Sequence, residues 1–261
     1  MDLKNKIIAL DIDGTIAADG KEPSSYTCDT IKSLLKQGYN IVLVTGRGYA
    51  TVKDIYKNCG MNGFCVTFNG AKVFNPTTNE IILDIKFPKN YLFDLINKEK
   101  ILELVDDIMI EQDENVYSLK GMHPWIKESI IGDFPIKLND NIYCVNTVSI
   151  NRDNHQKVKN IVRKNKNYDY RYWYHLGEIY CLNYTKKDGA EALLKHFNKT
   201  FDDLIFIGDS DNDIEILSSA KVGVAMKNAT DKAKNSADII TEYNVEEDGA
   251  IRHLLKMIEE K

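Results

Sequence analysis

No stretch of this sequence is apolar over the length that a membrane-spanning helix requires. The apolar run near the N-terminus lasts only from Ile7 to Leu10, which is too short for the apolar region of a secretory signal peptide. The cysteines are odd in number and form no CxxC or zinc-like spacing. We therefore expect a soluble, cytoplasmic protein with no membrane partner. In it we expect every cysteine to be a reduced, buried thiol, namely Cys28, Cys59, Cys65, Cys144 and Cys181.

The sequence also lacks an excess of positive charge, because 34 Lys and Arg residues stand against 39 Asp and Glu residues, a net charge of -5. This balance argues against nucleic acid as the main partner. A small anionic ligand would need local positive charge from a metal ion or from a few Lys and Arg side chains. With 261 residues, 43% of them hydrophobic, the chain can form one large domain or two modest ones.

Strand and helix patterns alternate at both ends of the sequence. Buried strands are predicted at 6–10, 40–44 and 64–68, with helices at 25–37 and 49–60 between them and turns at 69–70 and 75–79. The pattern resumes after Lys186 with a helix at 188–197, strands at 204–207 and 222–225, and a final helix at 248–259. This order predicts parallel strands joined by right-handed crossovers.

The segment 83–185 has a different pattern. It predicts helices at 91–109 and 153–164 and strands near 115–119, 143–150 and 178–182, none ending in an acidic or Gly-rich cluster. We interpret it as a second α/β domain with antiparallel strands, inserted into the first; one continuous large domain is the alternative. The predicted fold class is therefore α/β, with a parallel-sheet core formed by 1–82 and 186–261 and an inserted domain at 83–185.

Residues capable of chemistry follow the predicted core strands. Asp11 and Asp13 follow the first strand, Thr45 and Gly46 follow the second, and Lys186 with Lys187 begins a helix. The strand at 204–207 is followed by Gly208-Asp209-Ser210-Asp211-Asn212-Asp213. Because ligands bind at the carboxyl ends of the strands in open parallel sheets, we expect these groups to meet at one edge.

Each feature has an ordinary explanation when it is taken alone. Asp13-Gly14 is compatible with a turn, Thr45-Gly46 with a loop, and the lysines with a solvated surface. Asp209 and Asp213 are compatible with helix-capping acids. The four features in this order exceed what turns and caps need. Neighbouring acids repel one another unless a cation or a shared proton relieves the charge, so the pattern predicts a divalent metal site or a nucleophile beside an acid/base.

These motifs resemble those of the haloacid-dehalogenase-like phosphatase superfamily. Asp11-Ile12-Asp13-Gly14-Thr15 matches its first motif, DxDGT, Thr45 the second, Lys186 the third and Gly208-Asp209-Ser210-Asp211-Asn212-Asp213 the fourth. Lys187, shifted by one residue, is the alternative for the third. With Asn69-Gly70-Ala71 before the insert, the organisation looks like the Cof-type subgroup, in which a Rossmann-like core carries a large α/β cap.

The resemblance implies a phosphoric monoester hydrolase. It makes Asp11 the nucleophile that forms an aspartyl-phosphate and Asp13 the general acid/base. Its cofactor is Mg²⁺, held by the Asp11 side chain, the Asp13 backbone carbonyl and Asp209, with Asp213 close by. Substrate phosphate is held by Thr45, Gly46, Lys186 and Asn212. The implied partner is a small phosphorylated metabolite, with sugar phosphates expected first and pyridoxal phosphate or nucleotides as further candidates, acted on by a monomer or weak homo-oligomer.

Two other functions fit the same motifs. A phosphomutase of the phosphomannomutase type shares this core and the second acid. A non-catalytic phospho-acceptor or binding module is less favoured, because the set of acids, lysine and metal ligands is complete.

Within the insert, several side chains are polar or aromatic enough to contact the organic part of a substrate, although each is also compatible with an ordinary role in its domain. They are His123, Trp125, Arg152, His155, Tyr174 and His175.

Overall fold

The computed structural model of the chain describes residues 2–112, 115–122, 129–132 and 138–260. The chain divides into two compact units. Unit 1 comprises Met1–Arg47, Thr51–Asp84 and Tyr184–Lys261, and unit 2 comprises Gly48–Ala50 and Ile85–Asn183.

Strands and α-helices are numbered in chain order. The strands are β1 (Ile7–Leu10), β2 (Asn40–Val44), β3 (Cys65–Thr67), β4 (Lys72–Phe74), β5 (Ile81–Asp84), β6 (Asp107–Gln112), β7 (Asn115–Ser118), β8 (Ile130–Ile131), β9 (Ile142–Val148), β10 (Tyr168–Trp173), β11 (Leu176–Cys181), β12 (Leu204–Gly208), β13 (Val222–Ala225) and β14 (Ile239–Ile240). The α-helices are α1 (Ser25–Lys36), α2 (Tyr49–Asn58), α3 (Lys89–Asn97), α4 (Arg152–Val162), α5 (Lys186–His196), α6 (Ile214–Ser219), α7 (Asp231–Ser236) and α8 (Gly249–Glu259).

Unit 1 is built on an eight-stranded sheet with the order β14-β13-β12-β1-β2-β3-β4-β5. β1 lies at its centre and pairs in parallel with β2 and β12, as β2 does with β3, whereas β4 and β5 are antiparallel additions at one edge. All residues of β1 and β12 are buried, in keeping with apolar strands covered on both faces. The predicted α/β fold class with a parallel core sheet is confirmed.

The elements around β1 form for local reasons that the sequence contains. The Ser24 hydroxyl accepts a hydrogen bond from the Thr27 N–H at 3.0 Å and caps α1, whose buried face includes Ile31 and Leu34. Gly38 adopts φ +88°, a conformation that favours glycine, and turns the chain from α1 into β2. These signals position the carboxyl ends of β1 and β2 side by side.

Unit 2 contains a six-stranded sheet with the order β10-β11-β9-β6-β7-β8. Its pairings are antiparallel except for the parallel pair of β7 and β8. α3 and α4 contribute Leu92, Leu95 and Val158 to a buried cluster that also contains Ile110 and Val145 of the sheet. Because side chains alternate along a strand, the residues between those strand positions point to the other face of the sheet.

The predicted helix at 91–109 is wrong. α3 ends at Asn97, Lys100 adopts a left-handed φ of +56°, and β6 begins at Asp107. In this segment a break in the helical backbone separates two apolar stretches, and Ile108 and Ile110 follow the two-residue period of a strand. β10, whose aromatic residues pair with β11, is a further strand that the sequence patterns did not predict.

The prediction that every cysteine is a reduced, buried thiol is wrong for four of the five residues. Cys28 of α1 and Cys59, just after α2, form a disulfide with their Cα atoms 4.1 Å apart. Both side chains are buried, and their pairing follows from the tertiary fold, which spacing in the sequence does not reveal. Cys65 is a buried free thiol as predicted, whereas Cys144 and Cys181 are free thiols that are only half-buried.

Across the part of the chain that the structure describes, no helix has both the length and the apolar character needed to cross a membrane.

Candidate functional site

Three acids converge at the carboxyl ends of β1 and β12. Asp11 follows β1 directly and its N–H donates to the Ile207 carbonyl at 3.0 Å, which continues the pairing of the two strands. Asp209 follows β12, and Asp213 lies one turn further on. Each of the three offers a carboxylate oxygen, and these oxygens lie within 4.8 Å of one another. The strand order therefore brings together acids that are far apart in sequence.

One buried ammonium group contacts two of these acids. The Lys186 Nζ lies 2.7 Å from Asp11 Oδ1 and 2.8 Å from Asp213 Oδ1, and its side chain is 1% exposed. Lys186 begins α5, where the Asp188 carboxylate accepts hydrogen bonds from the Thr185 N–H and hydroxyl. Lys187 points elsewhere, with its ammonium group 5.7 Å from the centre of the Phe201 ring. The geometry therefore places Lys186, rather than Lys187, among the acids.

The electrostatics of this cluster favour the capture of positive charge. Burial raises the pKa of Asp11 well above its usual value, and the repulsion of Asp213 and Asp209 adds to this against the opposing effect of Lys186. Burial, followed by repulsion from Asp213, raises the pKa of Asp209 to about 7. Burial alone would lower the pKa of Lys186, but attraction to Asp11 and Asp213 raises it overall. Three carboxylates against one ammonium leave a negative site of hard oxygen donors, which fits a divalent cation such as Mg²⁺.

Asp213 and Asp209 differ in what already binds them. Asp213 is fully buried, and its Oδ2 accepts hydrogen bonds from the Asp209 and Ser210 N–H groups at 3.0 Å each. Asp209 Oδ1 accepts a hydrogen bond from the Thr15 hydroxyl at 3.1 Å. Asp213 therefore orients the loop and Lys186, whereas Asp209 retains more capacity for an additional ligand.

Gly14 is required where the first motif approaches Asp209. It has φ +72°, and a Cβ atom there would overlap the Asp209 carboxyl group. The Gly14 carbonyl also accepts a hydrogen bond from the Asn228 amide at 2.7 Å. The glycine of the DxDGT motif therefore has a steric role in bringing the two acidic loops together.

The Asp13 side chain is outside the cluster of three acids. It forms a two-point ion pair with Arg47, and it is 36% exposed. The three carboxylates of the predicted metal-ligand set converge, and from Asp13 the resemblance implies the backbone carbonyl rather than this side chain. The position of the Asp13 side chain therefore leaves its predicted role as a metal ligand through the backbone carbonyl unchanged as a prediction.

The predicted phosphate-binding residues lie on neighbouring loops. Thr45 is fully buried and its hydroxyl accepts a hydrogen bond from the Arg47 N–H at 3.1 Å. The Asn212 Nδ2 donates to Asn69 Oδ1 at 2.7 Å, and a Cβ atom at Gly46 would lie 3.0 Å from the same Asn69 oxygen. An amide nitrogen has two N–H groups, so this contact leaves Asn212 one further donor.

Asn69 is a site residue that sequence reasoning missed. The sequence indicates a turn there and a feature of the Cof-type subgroup but no role in the site, yet the Asn69 side chain contacts Asn212 and lies against Gly46. Phe68 and Asn69 both have positive φ, and a Cβ atom at Gly70 would overlap the Thr185 carbonyl. Asn tolerates the left-handed region better than most residues, so the Asn-Gly pair was the available signal for a loop forced into close contact.

The residues suggested in the inserted segment have different surroundings. His155 is fully buried and its Nδ1 lies 2.7 Å from the Tyr170 hydroxyl, so it is a core residue of unit 2. Tyr174 is 77% exposed, and Arg152 and His175 are also exposed. His123 and Trp125 lie outside the described residues.

Comparison with known proteins decides the family. A model of the haloacid dehalogenase-like hydrolases matches residues 8–254. The chain belongs to this family. With that, the predicted superfamily and the predicted enzyme class, a phosphoric monoester hydrolase, are confirmed.

Relatives and solved structures of this hydrolase family cover almost the whole chain. The 5-amino-6-(5-phospho-D-ribitylamino)uracil phosphatase YitU of Bacillus subtilis is 28% identical and covers 97% of this chain and 98% of its own. A second B. subtilis phosphatase of the same description, YcsE, is 27% identical over 97% of this chain and 96% of its own. A haloacid dehalogenase-like hydrolase from Bacteroides thetaiotaomicron, 23% identical, has the same fold with a TM-score of 0.86 over 97% of this chain and 99% of that one.

Proposed function

We propose that the protein is a Mg²⁺-dependent phosphatase that hydrolyses a small phosphorylated metabolite through an aspartyl-phosphate on Asp11. The observation that supports this best is the contact of the buried Lys186 ammonium with Asp11 and Asp213, 2.7 and 2.8 Å away, beside Asp209. Phosphoryl transfer depends mainly on positioning and on neutralising charge; the cluster would position the reacting groups, and the cation it suits would neutralise charge.

Each residue then has a defined task. Asp11 attacks phosphorus, and the bond from phosphorus to the leaving oxygen breaks as the new P–O bond forms. Asp13 gives a proton to the leaving alcohol and afterwards takes one from the attacking water. Lys186 holds Asp11 in place and contributes positive charge. Thr45, the Gly46 N–H, Lys186 and Asn212 bind phosphate oxygens.

The metal ion would be held by the carboxylates of Asp11 and Asp209 and by the Asp13 carbonyl, with Asp213 close by. When bound, Mg²⁺ supplies the positive charge that lets a carboxylate approach a phosphate dianion. The donor set supports this assignment, because three hard carboxylate oxygens within 4.8 Å of one another suit a divalent cation.

The substrate class we propose is a phosphorylated sugar or sugar alcohol. The two B. subtilis relatives are named for a substrate with a phosphorylated ribityl chain, which is a sugar alcohol. Their identity to this chain, 28% and 27%, supports the class of substrate and makes that compound the first to test.

A panel of phosphate esters tests the proposed function. Purified protein is incubated with sugar phosphates, 5-amino-6-(5-phospho-D-ribitylamino)uracil, pyridoxal phosphate, nucleotides and p-nitrophenyl phosphate, with Mg²⁺ or with EDTA, and released phosphate is measured. We expect release with Mg²⁺, none with EDTA, and poor activity with Ca²⁺, whose larger and looser shell misplaces the phosphate. A need for a bisphosphate activator with little free phosphate would identify a phosphomutase. No release from any ester would contradict the proposal.

We also propose that the segment 83–185 is a separate cap that determines which ester is hydrolysed. Replacing residues 84–184 by a short Gly/Ser linker should leave a folded protein that binds metal and hydrolyses p-nitrophenyl phosphate. This variant should no longer discriminate among larger esters. An unfolded product, or one that keeps the substrate ranking of the full chain, would contradict this assignment.

A further inference from the structure

Arg47 and Asp13 form a two-point ion pair within unit 1. The Arg47 Nε donates to Asp13 Oδ2 at 2.8 Å and its Nη2 donates to Asp13 Oδ1 at 2.7 Å. The Gly20 N–H also donates to Asp13 Oδ1, at 3.0 Å. The Arg47 side chain is only 14% exposed, so this pair is better shielded from water than an ordinary surface ion pair.

Arg47 is itself held in place, both through its backbone and through its guanidinium group. The Arg47 N–H donates to the Thr45 hydroxyl, its carbonyl accepts from the Phe68 N–H at 3.0 Å, and its Nη2 also donates to the Lys21 carbonyl at 3.0 Å. Arg47 therefore connects the loop after β2 to the loop after β1. The planar fork of a guanidinium group fixes both the position and the plane of the carboxyl group that it contacts.

These contacts leave the Asp13 carboxyl group little hydrogen-bonding capacity. Each carboxylate oxygen has about two lone pairs. Two N–H donors occupy those of Oδ1, whereas Oδ2 accepts only from the Arg47 Nε among the contacts that the structure describes. Of the two oxygens, Oδ2 therefore keeps the greater capacity for a further hydrogen bond.

We propose that Arg47 is a positioning residue that orients the Asp13 carboxyl group so that Oδ2 exchanges the proton with the leaving group. This inference rests on the proposed function. As the Asp11 oxygen bonds to phosphorus and the bond to the leaving oxygen breaks, the proton on Asp13 Oδ2 passes to that oxygen. The resulting Asp13 carboxylate is stabilised by Arg47, and it recovers a proton from the water that hydrolyses the aspartyl-phosphate.

The test compares esters with good and poor leaving groups. Dinitrophenolate leaves without protonation, whereas the alkoxide of a sugar phosphate needs a proton, so a misplaced Asp13 affects the second ester more. For this mechanism kcat/KM reports the steps through departure of the leaving group. In Arg47→Gln we expect kcat/KM to fall at least about tenfold for a sugar phosphate and less than about threefold for dinitrophenyl phosphate.

Three further variants make the result specific. In an Asp13→Asn background, adding Arg47→Gln should lower kcat/KM for the sugar phosphate by less than about twofold, because Arg47 acts through Asp13. Arg47→Lys keeps the charge but not the fork, so we expect it to restore only part of the activity. Arg163→Gln is the matched control, because Arg163 forms the same two-point pair with Asp169 in unit 2. It should leave both esters unaffected.

Several outcomes would overturn the inference. Equal losses for both esters, with a higher KM and weaker inhibition by inorganic phosphate, would make Arg47 a phosphate ligand instead. The inference would also be refuted if kcat/KM in the double variant fell by the product of the two single-variant losses. Unchanged kinetics in Arg47→Gln would refute it as well. If Arg47→Gln does not fold, as judged by its thermal unfolding, the same comparison is made with Arg47→Lys. Failure of the proposed function is distinguishable, because it would appear as an inactive wild-type protein or a fully active Asp11→Asn variant.

Discussion

Both units gather acids and one basic side chain on a sheet, but they do so in opposite ways. In unit 1 the acids follow the ends of parallel strands and their oxygens converge within 4.8 Å around Lys186. In unit 2 the acids lie within antiparallel strands. There a polar cluster is formed by Glu111, Cys144, Asn146, Arg171 and Glu178.

The cluster in unit 2 results from strand register. Glu111 is opposite Cys144, Asn146 is opposite Glu178, and Glu178 is opposite Arg171. Arg171 pairs with Glu178 at 2.6 Å, while Glu111 Oε2 has no hydrogen-bond partner among the residues that the structure describes. Burial, followed by repulsion from Glu178, raises the pKa of Glu111 to about 8.

The difference shows two solutions for excess buried negative charge. Converging carboxylates in unit 1 make a place for a divalent cation. In unit 2 one carboxylate takes the guanidinium and the other takes a proton, because a lone buried carboxylate is strongly disfavoured. The same types of residue therefore produce a cluster suited to a divalent cation in one unit and, with Glu111 protonated, a polar patch without excess negative charge in the other.

The largest expected effect concerns Asp11 in the carboxylate cluster of unit 1. Asp11→Asn keeps the size of the side chain but removes the attacking charge, and we expect activity to fall at least about a thousandfold, roughly 4 kcal/mol. Phosphate release from the best ester is the measurement. Asp211→Asn is the matched control, since Asp211 is in the same acidic segment but pairs with Lys232. Near wild-type turnover in Asp11→Asn would refute covalent catalysis.

The second prediction concerns Glu111 and stability. Its ordinary pKa of 4.5 is raised to about 8 in the folded protein, so the folded state keeps a proton that the unfolded chain releases above 4.5. The free energy of unfolding should therefore fall as pH rises from 4.5 to 8 and then level off, by on the order of 4 kcal/mol in total. Glu111→Gln, which is neutral throughout, should lack this fall.

Denaturant unfolding followed by tryptophan fluorescence measures this effect. Both tryptophans of the sequence, Trp125 and Trp173, are in the segment that forms unit 2, so the signal reports on that unit. Glu103→Gln, at an exposed position of the same unit, is the control and should keep the pH dependence. If the free energy of unfolding of Glu111→Gln falls with pH as steeply as that of the wild-type protein, Glu111 is ionised at neutral pH and the prediction is wrong.

The third and smallest effect separates Asp209 from Asp213 inside unit 1. In metal-free protein, Asp213→Asn disturbs contacts with Lys186 and two N–H groups and should cost about 2 kcal/mol of unfolding free energy. Asp209→Asn removes a repelled carboxylate and should cost less than about 1 kcal/mol. Titration with Mg²⁺ should show the reverse order, with the larger loss of affinity in Asp209→Asn. A larger stability loss from Asp209→Asn without metal would contradict the assigned roles.

The carboxylate cluster of unit 1 could be predicted from the sequence because its residues follow strand ends. Asp11 and Asp209 each come directly after an apolar strand, so parallel pairing alone brings them together. The cluster around Glu111 could not be predicted, since it depends on the registers that join β6, β9, β11 and β10. Asn69 was missed for a similar reason. Its contact with Asn212 requires a loop that returns across the site, and the Asn-Gly pair indicated a turn and a subgroup feature but not this contact.

The errors in secondary structure have the same physical origin. The predicted helix at 91–109 merged α3 with β6 because apolar residues satisfy both periods over short stretches. The pairing of Cys28 with Cys59 depends on two helices meeting in three dimensions. Local signals were sufficient for the parallel core, whereas contacts between distant residues were predictable only where the topology required them.

Trapping the covalent intermediate tests the central claim most directly. Asp13→Asn should slow hydrolysis of the aspartyl-phosphate. This variant can therefore be mixed with Mg²⁺ and dinitrophenyl phosphate, whose leaving group needs no proton, then quenched in acid, digested and analysed by mass spectrometry. The account predicts phosphate on the peptide that contains Asp11, and none there when Asp11→Asn is added. Turnover without any covalent phosphate, or phosphate on a different residue, would contradict it.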